Sequence, residues 1–414
     1  MPVFFLETLT FLTGVTMIDL VVGFAILLFG AMCGGSFGLP GKFVSKDLPW
    51  ENLWGPFFLF ATLLLPLIAG TALVSGLFGI YAKVGPLGLL LPFVFGVLWG
   101  LGSMTLGLSF TYIGLSLAYA INYGGQIIVG SIGPMMIHEP QKFQSTAGIV
   151  IMTGVAVCLL GVVICGRAGM LKTANEANNA PVTDAKPKKN ALPGLMLALA
   201  SGVLCACYAI AFSFANSIGE TAKEVPFEIT DWRNSLPATF LILFGGFFSS
   251  CLYCVMKLNQ NKTWSRFLSL KAVFALGIAF VMAVLHDAAV GLFGLGASKL
   301  GGLGVSVGYA VFMSFAIIVG NFNGFLTGEW RNAGRAAVRW IIAGIIVLVI
   351  AVCILGVGKG LNTCRVDVFR VSFNICVKDT ISVRERNEIN RFSQKPVFSD
   401  TWTTKCNFRT NSGS

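Results

Sequence analysis

Gly114-Leu-Ser-Leu-Ala-Tyr119-Ala-Ile-Asn-Tyr-Gly-Gly-Gln-Ile-Ile-Val-Gly130 aligns without a gap on Gly304-Val-Ser-Val-Gly-Tyr309-Ala-Val-Phe-Met-Ser-Phe-Ala-Ile-Ile-Val-Gly320. Eight of the seventeen pairs are identical, Ser116 with Ser306 and Tyr119 with Tyr309 among them. Apolar helices resemble one another by chance, but coincident Ser and Tyr positions are harder to obtain that way. The two copies fall in the fourth and ninth of ten apolar stretches, so the second copy enters a bilayer in the opposite orientation. Two inverted five-span units, with substrate sites near the midplane between them, are the plan of many secondary transporters.

The rest of the chain is read outward from that repeat. Of 414 residues 55% are hydrophobic and 11% charged, whereas a soluble domain carries about 25% charged residues. A helix needs ~20 apolar residues to cross ~30 Å of hydrocarbon. Stretches of that kind run near Ile18–Phe37, Leu53–Leu77, Gly88–Leu106, Tyr112–Ile132 and Ala147–Gly166. A second set runs near Leu192–Phe214, Pro237–Met256, Val273–Leu295, Leu303–Leu326 and Trp340–Gly358. The fold expected is therefore all-α and integral to a membrane, with ten transmembrane helices as two inverted five-helix repeats. Residues 1–17 form an N-terminal segment without the basic region of a signal peptide. The first repeat covers 18–166, a hydrophilic linker 167–191, the second repeat 192–358, and a polar, disordered tail 359–414.

The net charge of +11 sits in loops and tails, without the aromatic interleaving of a nucleic-acid surface, so nucleic acid is not an expected partner. It reads instead as an orientation signal. Loops after odd-numbered spans hold fourteen Lys and Arg residues and loops after even-numbered spans hold five. Positive loops stay cytoplasmic, which places both termini on the outer or lumenal face. The cysteine pairs Cys205/Cys207 and Cys251/Cys254 lie in apolar runs without nearby His or carboxylate, so they read as small buried hydrophobes and no metal site is expected. No phosphate-binding loop is present, so ATP is not the direct energy source.

Polar groups inside spans point to the pathway. Tyr112, Ser116, Tyr119, Tyr123, Gln126 and Gly130 recur at helical spacing and share a face. Lipid offers such groups no partner, so the face should meet protein or water. Ser306, Tyr309 and Asn323 repeat part of the pattern in the ninth span. Aromatic faces beside hydroxyl and amide groups suit a sugar, with its apolar C–H faces and rim of hydroxyls. The plainer alternative is that the stripe bonds helix to helix, at ~0.6 kcal/mol per bond. His286-Asp287, the only adjacent titratable pair so deep in a span, is the expected proton-coupling pair; a structural hydrogen-bonded pair is the alternative. Gly30/Gly34 and Gly96/Gly100, the latter flanking Trp99, permit close helix approach.

Four motifs resemble the L-rhamnose–proton symporter family of the drug/metabolite transporter superfamily. They are Phe95-Gly-Val-Leu-Trp99-Gly-Leu-Gly, Thr111-Tyr-Ile-Gly114-Leu-Ser, Gly166-Arg167-Ala-Gly169-Met-Leu-Lys172 and Gly328-Glu329-Trp330-Arg-Asn332-Ala-Gly334. The likeness runs from about Gly23 to Gly358. It implies ten helices in two inverted halves and secondary active transport, proton-driven uptake of a deoxy sugar in particular. The family tends to carry aromatic and amide residues where this chain has His286-Asp287, and the superfamily usually places both termini in the cytoplasm, against the charge count. The function expected is proton-coupled symport of a sugar such as L-rhamnose or a related monosaccharide. Tyr112, Ser116, Tyr119, Tyr123, Gln126, Ser306, Tyr309, Asn323 and Trp99 would line the pathway, and His286 and Asp287 would carry the proton. No cofactor is expected beyond a proton gradient, with sodium left open. The partners expected are a sugar-like substrate and the lipid bilayer. The alternatives are export or exchange of another metabolite, including nucleotide sugars, and a membrane sensor or scaffold that transports nothing. An enzyme is not expected, because one His-Asp pair is poor catalytic equipment.

Overall fold

In a computed structural model, residues 17–45, 47–113, 115–138, 140–178, 191–230, 232–301 and 304–357 are described. Residues 1–16 and 358–414, covering most of the expected N-terminal segment and the tail, lie outside them. Helix follows helix, and among the described residues nine helices are long and apolar enough to cross a membrane. They are α1 (Met17–Ser36), α2 (Trp50–Leu73), α3 (Leu77–Ile113), α5 (Thr146–Asn178), α6 (Leu192–Lys223), α7 (Leu236–Asn261), α8 (Leu270–Lys299), α9 (Gly304–Leu326) and α10 (Gly334–Val357). Helix α4 (Leu115–His138) is also 24 residues long, but Tyr119, Asn122, Tyr123 and Gln126 dilute its apolar character.

Local sequence explains where these helices bend. At Gly85 the backbone takes φ 78° and ψ 166°, a conformation open to glycine without steric cost. Pro86 follows, and proline with its fixed φ is well suited to the first turn of the helix that continues α3. Helix α2 contains a π-turn at Phe60–Leu64 ahead of Pro66. Helix α5 runs past the bilayer-length stretch to Asn178, so the first part of the expected linker is helical. Its Ala, Leu, Met and Lys residues are good helix formers that water does not unwind.

The outer faces carry large apolar side chains: Leu87 is 85% exposed, Val163 68% and Leu252 62%. A water-soluble surface of this kind would aggregate; in a bilayer it meets acyl chains, and the protein is an integral multi-pass membrane protein. Inside, small residues set the helix spacing. A Cβ added at Gly100 would lie 2.7 Å from Gly246 Cα on α7, and one at Gly30 would lie 2.9 Å from Leu292 Cβ on α8. Without a solvent-driven hydrophobic force between helices, such backbone contact is what holds a membrane bundle.

Gly100→Ala is therefore expected to destabilise the bundle by about 1–3 kcal/mol through overpacking. Gly277→Ala, where an added Cβ meets nothing within 4 Å, should be neutral or slightly stabilising. Thermal unfolding of the two purified variants checks the contrast.

Candidate functional site

Six helices line a cavity of about 90 Å³. A cavity of ~150 Å³ holds a benzene ring, so the walls must part before a monosaccharide fits between them. Its lining is mostly aromatic: Phe37 just past the end of α1, Trp99 from α3, Tyr123 from α4, Tyr208 from α6, Phe293 from α8, and Tyr309 and Phe312 from α9. His286 lies on the α8 side, boxed by the rings of Phe37, Phe57 and Trp99, each with centroids 5.7 Å away. Its Nδ1 lies 2.9 Å from Asp287 Oδ1. Among the described residues no Lys or Arg lines this cavity.

A chain of hydrogen bonds ties the walls together. Tyr309 donates its hydroxyl to Gln126 Oε1 at 2.7 Å, and Gln126 Nε2 donates to Asn122 Oδ1. Asn122 Nδ2 then donates to Ser201 Oγ at 2.7 Å, and Ser201 Oγ to the Gly102 carbonyl at 2.6 Å. The chain crosses α9, α4, α6 and α3. Gln126 and Tyr309 thus line the cavity while bonding to each other.

Two further spaces flank the cavity. On one side Tyr119 and Tyr123 stack at 5.1 Å above a narrow crevice that also holds Gly35, Lys42, Gly320, Asn321, Asn323 and Glu329. Ionic and amide contacts close it. Lys42 pairs with Glu329 and donates to Thr327 Oγ1 at 3.1 Å. Lys172 Nζ lies 3.3 Å from Glu329 Oε2 and 5.4 Å from the Trp330 ring centroid. Asn323 Nδ2 donates to Ser36 Oγ at 2.8 Å. The ends of α1, α5 and α9 are drawn together in this way. Burial alone would raise the Glu329 pKa, but the Lys42 hydrogen bond and the charges of Lys172 and Lys42 outweigh it and hold the carboxyl below its usual value of 4.5. On the other side a vestibule of about 650 Å³ is lined by His138, Ser213, Asn216, Glu220, Lys223 and Ser306, among others. Phe212 of the vestibule wall and Phe293 of the cavity wall meet at 6.1 Å between the two spaces.

The residues expected to line the pathway are distributed over these spaces. Trp99, Tyr123, Gln126, Tyr309 and His286 meet at the central cavity. Tyr119 and Asn323 belong to the crevice, and Ser306 to the vestibule. Asp287 stands behind His286 and lines a groove on the far side of α8. The side chain of Ser116 lies outside the described residues. Tyr112 departs from the expected stripe: the preceding helix runs on to Ile113, so Tyr112 ends α3 rather than beginning α4, 40% exposed. There it packs beside Gly194 at the start of α6, away from the cavity. The expected single face assumed one helix through this point, but the chain changes helix there.

Phe37, Phe293 and Phe312 were not singled out, since single aromatics on apolar helices carry no local signal. The partnership of Lys42, Lys172 and Glu329 joins positions far apart in sequence. Its traces were Lys172 and Glu329, each a charged residue within a conspicuous motif.

An aromatic cavity held by six helices of a multi-pass membrane protein, with a closed crevice on one side and a vestibule on the other, defines the class as a transporter. The chain belongs to the family of the L-rhamnose-proton symport protein (RhaT), whose family model matches residues 17–361. Among its relatives, an L-rhamnose-proton symporter of Cronobacter sakazakii is 29% identical over 346 residues, covering 81% of this chain and 96% of that protein. One from Citrobacter koseri is 28% identical over 342 residues, covering 80% of this chain and 96% of the relative. One from Shigella boydii is 29% identical over 342 residues with the same coverage of both chains.

A carboxyl whose folded pKa is depressed contributes stability above its unfolded value and loses it as the pH falls through the folded one. The Glu329 latch should therefore hold undiminished down to about pH 4.5 and open below that. Hydrogen exchange of segments 39–44 and 327–331, corrected for intrinsic rates, is expected to speed up only in that acid range. Glu329→Gln should already show the faster exchange at pH 7.

Proposed function

We propose that this protein is a secondary active symporter that couples a proton gradient to the movement of L-rhamnose or a closely related monosaccharide. The observation that carries the reading is the central cavity: aromatic, free of Lys and Arg among the described residues, and bordered by His286, whose ring is bonded to Asp287 behind it. Aromatic rings stack on the C–H faces of a sugar, and the few polar groups select its hydroxyls. An anionic substrate such as a nucleotide sugar would find no countercharge there. Family membership and the names of the relatives support the same substrate class and the same coupling ion.

In this reading the ten helices form two inverted five-helix halves, and the matched segments of α4 and α9 face one another across the path. Tyr309 of one copy lies over Gly130 of the other, which agrees with that pairing. The latch of Lys42, Lys172 and Glu329 lies on the face of the odd-numbered loops, which the charge count assigns to the cytoplasm. The vestibule then opens to the opposite side. Substrate enters from the vestibule past Phe212 and Phe293 and rests between Trp99, Tyr208 and Tyr309. It leaves once the Tyr119–Tyr123 stack and the latch part. His286 meets the cavity directly, and its bond to Asp287 gives a proton a place to stay while the cavity changes sides. A site accessible from only one face at a time, with a titratable pair at its wall, is what alternating access requires.

The test is uptake of labelled L-rhamnose into proteoliposomes with and without an imposed inward proton gradient. Accumulation is expected only with the gradient. Asp287→Asn should abolish accumulation while leaving sugar counterflow measurable; accumulation at the wild-type level would remove Asp287 from the coupling step. Trp99→Ala, which strips the largest ring from the wall, should weaken sugar binding about tenfold or more, read as a raised KM for counterflow.

A further inference from the structure

The wall behind His286 borders a second space. Between α2, α7 and α8 lies a groove of about 540 Å³ with an almost wholly apolar lining that includes Leu65, Ile68, Phe240, Leu243 and Val284. Ile68 and Val284 are 61% and 43% exposed, so the groove lies on the outer, bilayer side of the bundle. The stretch of α2 that lines it follows directly on the π-turn Phe60–Leu64. Wide turns of this kind recur at functional sites.

Its inner wall is not apolar. Asp287 and Thr239 both line the groove, and Asp287 Oδ2 and Thr239 Oγ1 are buried without a hydrogen bond. The other carboxylate oxygen, Oδ1, is engaged by His286. Behind them the Tyr208 hydroxyl approaches Thr239 without meeting it at hydrogen-bond distance. Tyr208 and Thr239 are 4% and 7% exposed. Hydrocarbon supplies no donor to such atoms. Among the described residues no Lys or Arg lines the groove, so the nearest cationic group to the carboxylate is its His286 partner on the cavity side.

We propose that this groove is a bilayer-side binding site for a lipophilic primary ammonium compound, its charged head on Asp287 and Thr239 and its apolar body between α2, α7 and α8. An ammonium brings N–H donors to two oxygens that lack them, and its positive charge meets a carboxylate at short range in low dielectric. Its body replaces acyl chains against Ile68, Phe240 and Val284. The ligand reaches Asp287 from the side opposite the sugar cavity, so it is a modulator rather than cargo. The site goes beyond sugar symport and stands without it.

The probe is 1-adamantylammonium, with 1-adamantanol as its neutral counterpart, added to the full-length protein in lipid nanodiscs without sugar. Thermal unfolding is the readout, since a ligand that binds only the folded state raises the midpoint in a saturable way. The ammonium is expected to raise it and the alcohol to leave it unchanged. Asp287→Asn should weaken the effect at least tenfold. Gly291→Leu should abolish it: Gly291 lines the groove, and a Cβ there meets nothing within 4 Å, so leucine fills the space without a clash. An unliganded unfolding midpoint of Gly291→Leu equal to that of the wild type would certify that this variant is folded. No shift in the wild-type protein, an equal shift from the alcohol, or a shift that survives Gly291→Leu would each overturn the proposal. Because the shift is read without sugar or gradient, failure of rhamnose uptake would leave it standing.

Discussion

A bilayer interior donates and accepts no hydrogen bonds, and the internal architecture of this protein follows from that. Each polar group carried into the membrane must find a partner in the protein or a water-filled space. The chain from Tyr309 through Gln126, Asn122 and Ser201 to the Gly102 carbonyl meets this demand for four helices at once. It passes each donor to the next acceptor, which leaves the amides of Asn122 and Gln126 engaged and holds α4 against α9, α6 and α3. The cavity is the space this seam leaves open, and its lining is aromatic because rings tolerate both hydrocarbon neighbours and a polar solute.

The two sides of the cavity are built on different principles. One is closed by charge and amide contacts among helix ends: Lys42 and Lys172 on Glu329, and Asn323 on Ser36. The other is closed by ring contact between Phe212 and Phe293, beneath a wide polar vestibule. Ion pairs of partly exposed groups are each worth ~1 kcal/mol or less, so a latch made of a few of them can open within the ordinary range of a conformational equilibrium. Side-chain rotation is enough to move a pair of rings. Neither closure needs a large energy, which suits a protein whose two faces must open in turn.

Much of this was legible in the residues themselves. The length and apolarity of the helices, the deep His286-Asp287 pair, the close approach at Gly96/Gly100 and the concentration of polar groups on α4 and α9 all follow from local pattern. Tyr123, Gln126, Tyr309 and Trp99 do converge on one cavity. What pattern did not resolve was division of labour. Tyr112 sits on the helix before the one its spacing suggested, since the end of α3 at Ile113 is invisible in a continuous apolar run. Gln126 and Tyr309 bond each other, while Ser306 belongs to the vestibule and Asn323 to the crevice. A helical face is nearly as long as the membrane is thick, so residues sharing that face occupy different depths and different spaces.

Sequence by itself determined that this chain spans a membrane and which family it resembles, because both are written in local composition and in contiguous motifs. It also determined which helices carry polar groups, since each such group is a cost that hydrocarbon cannot hide. Only the tertiary structure decided which of those groups face a cavity and which satisfy one another. It also brought Lys42, Lys172 and Glu329 together, and placed Asp287 behind His286 of the central cavity, on a groove at the bilayer side. Those outcomes depend on distances between helices far apart in the chain, and helix-to-helix packing is set by the fit of small residues rather than by any pattern within one span.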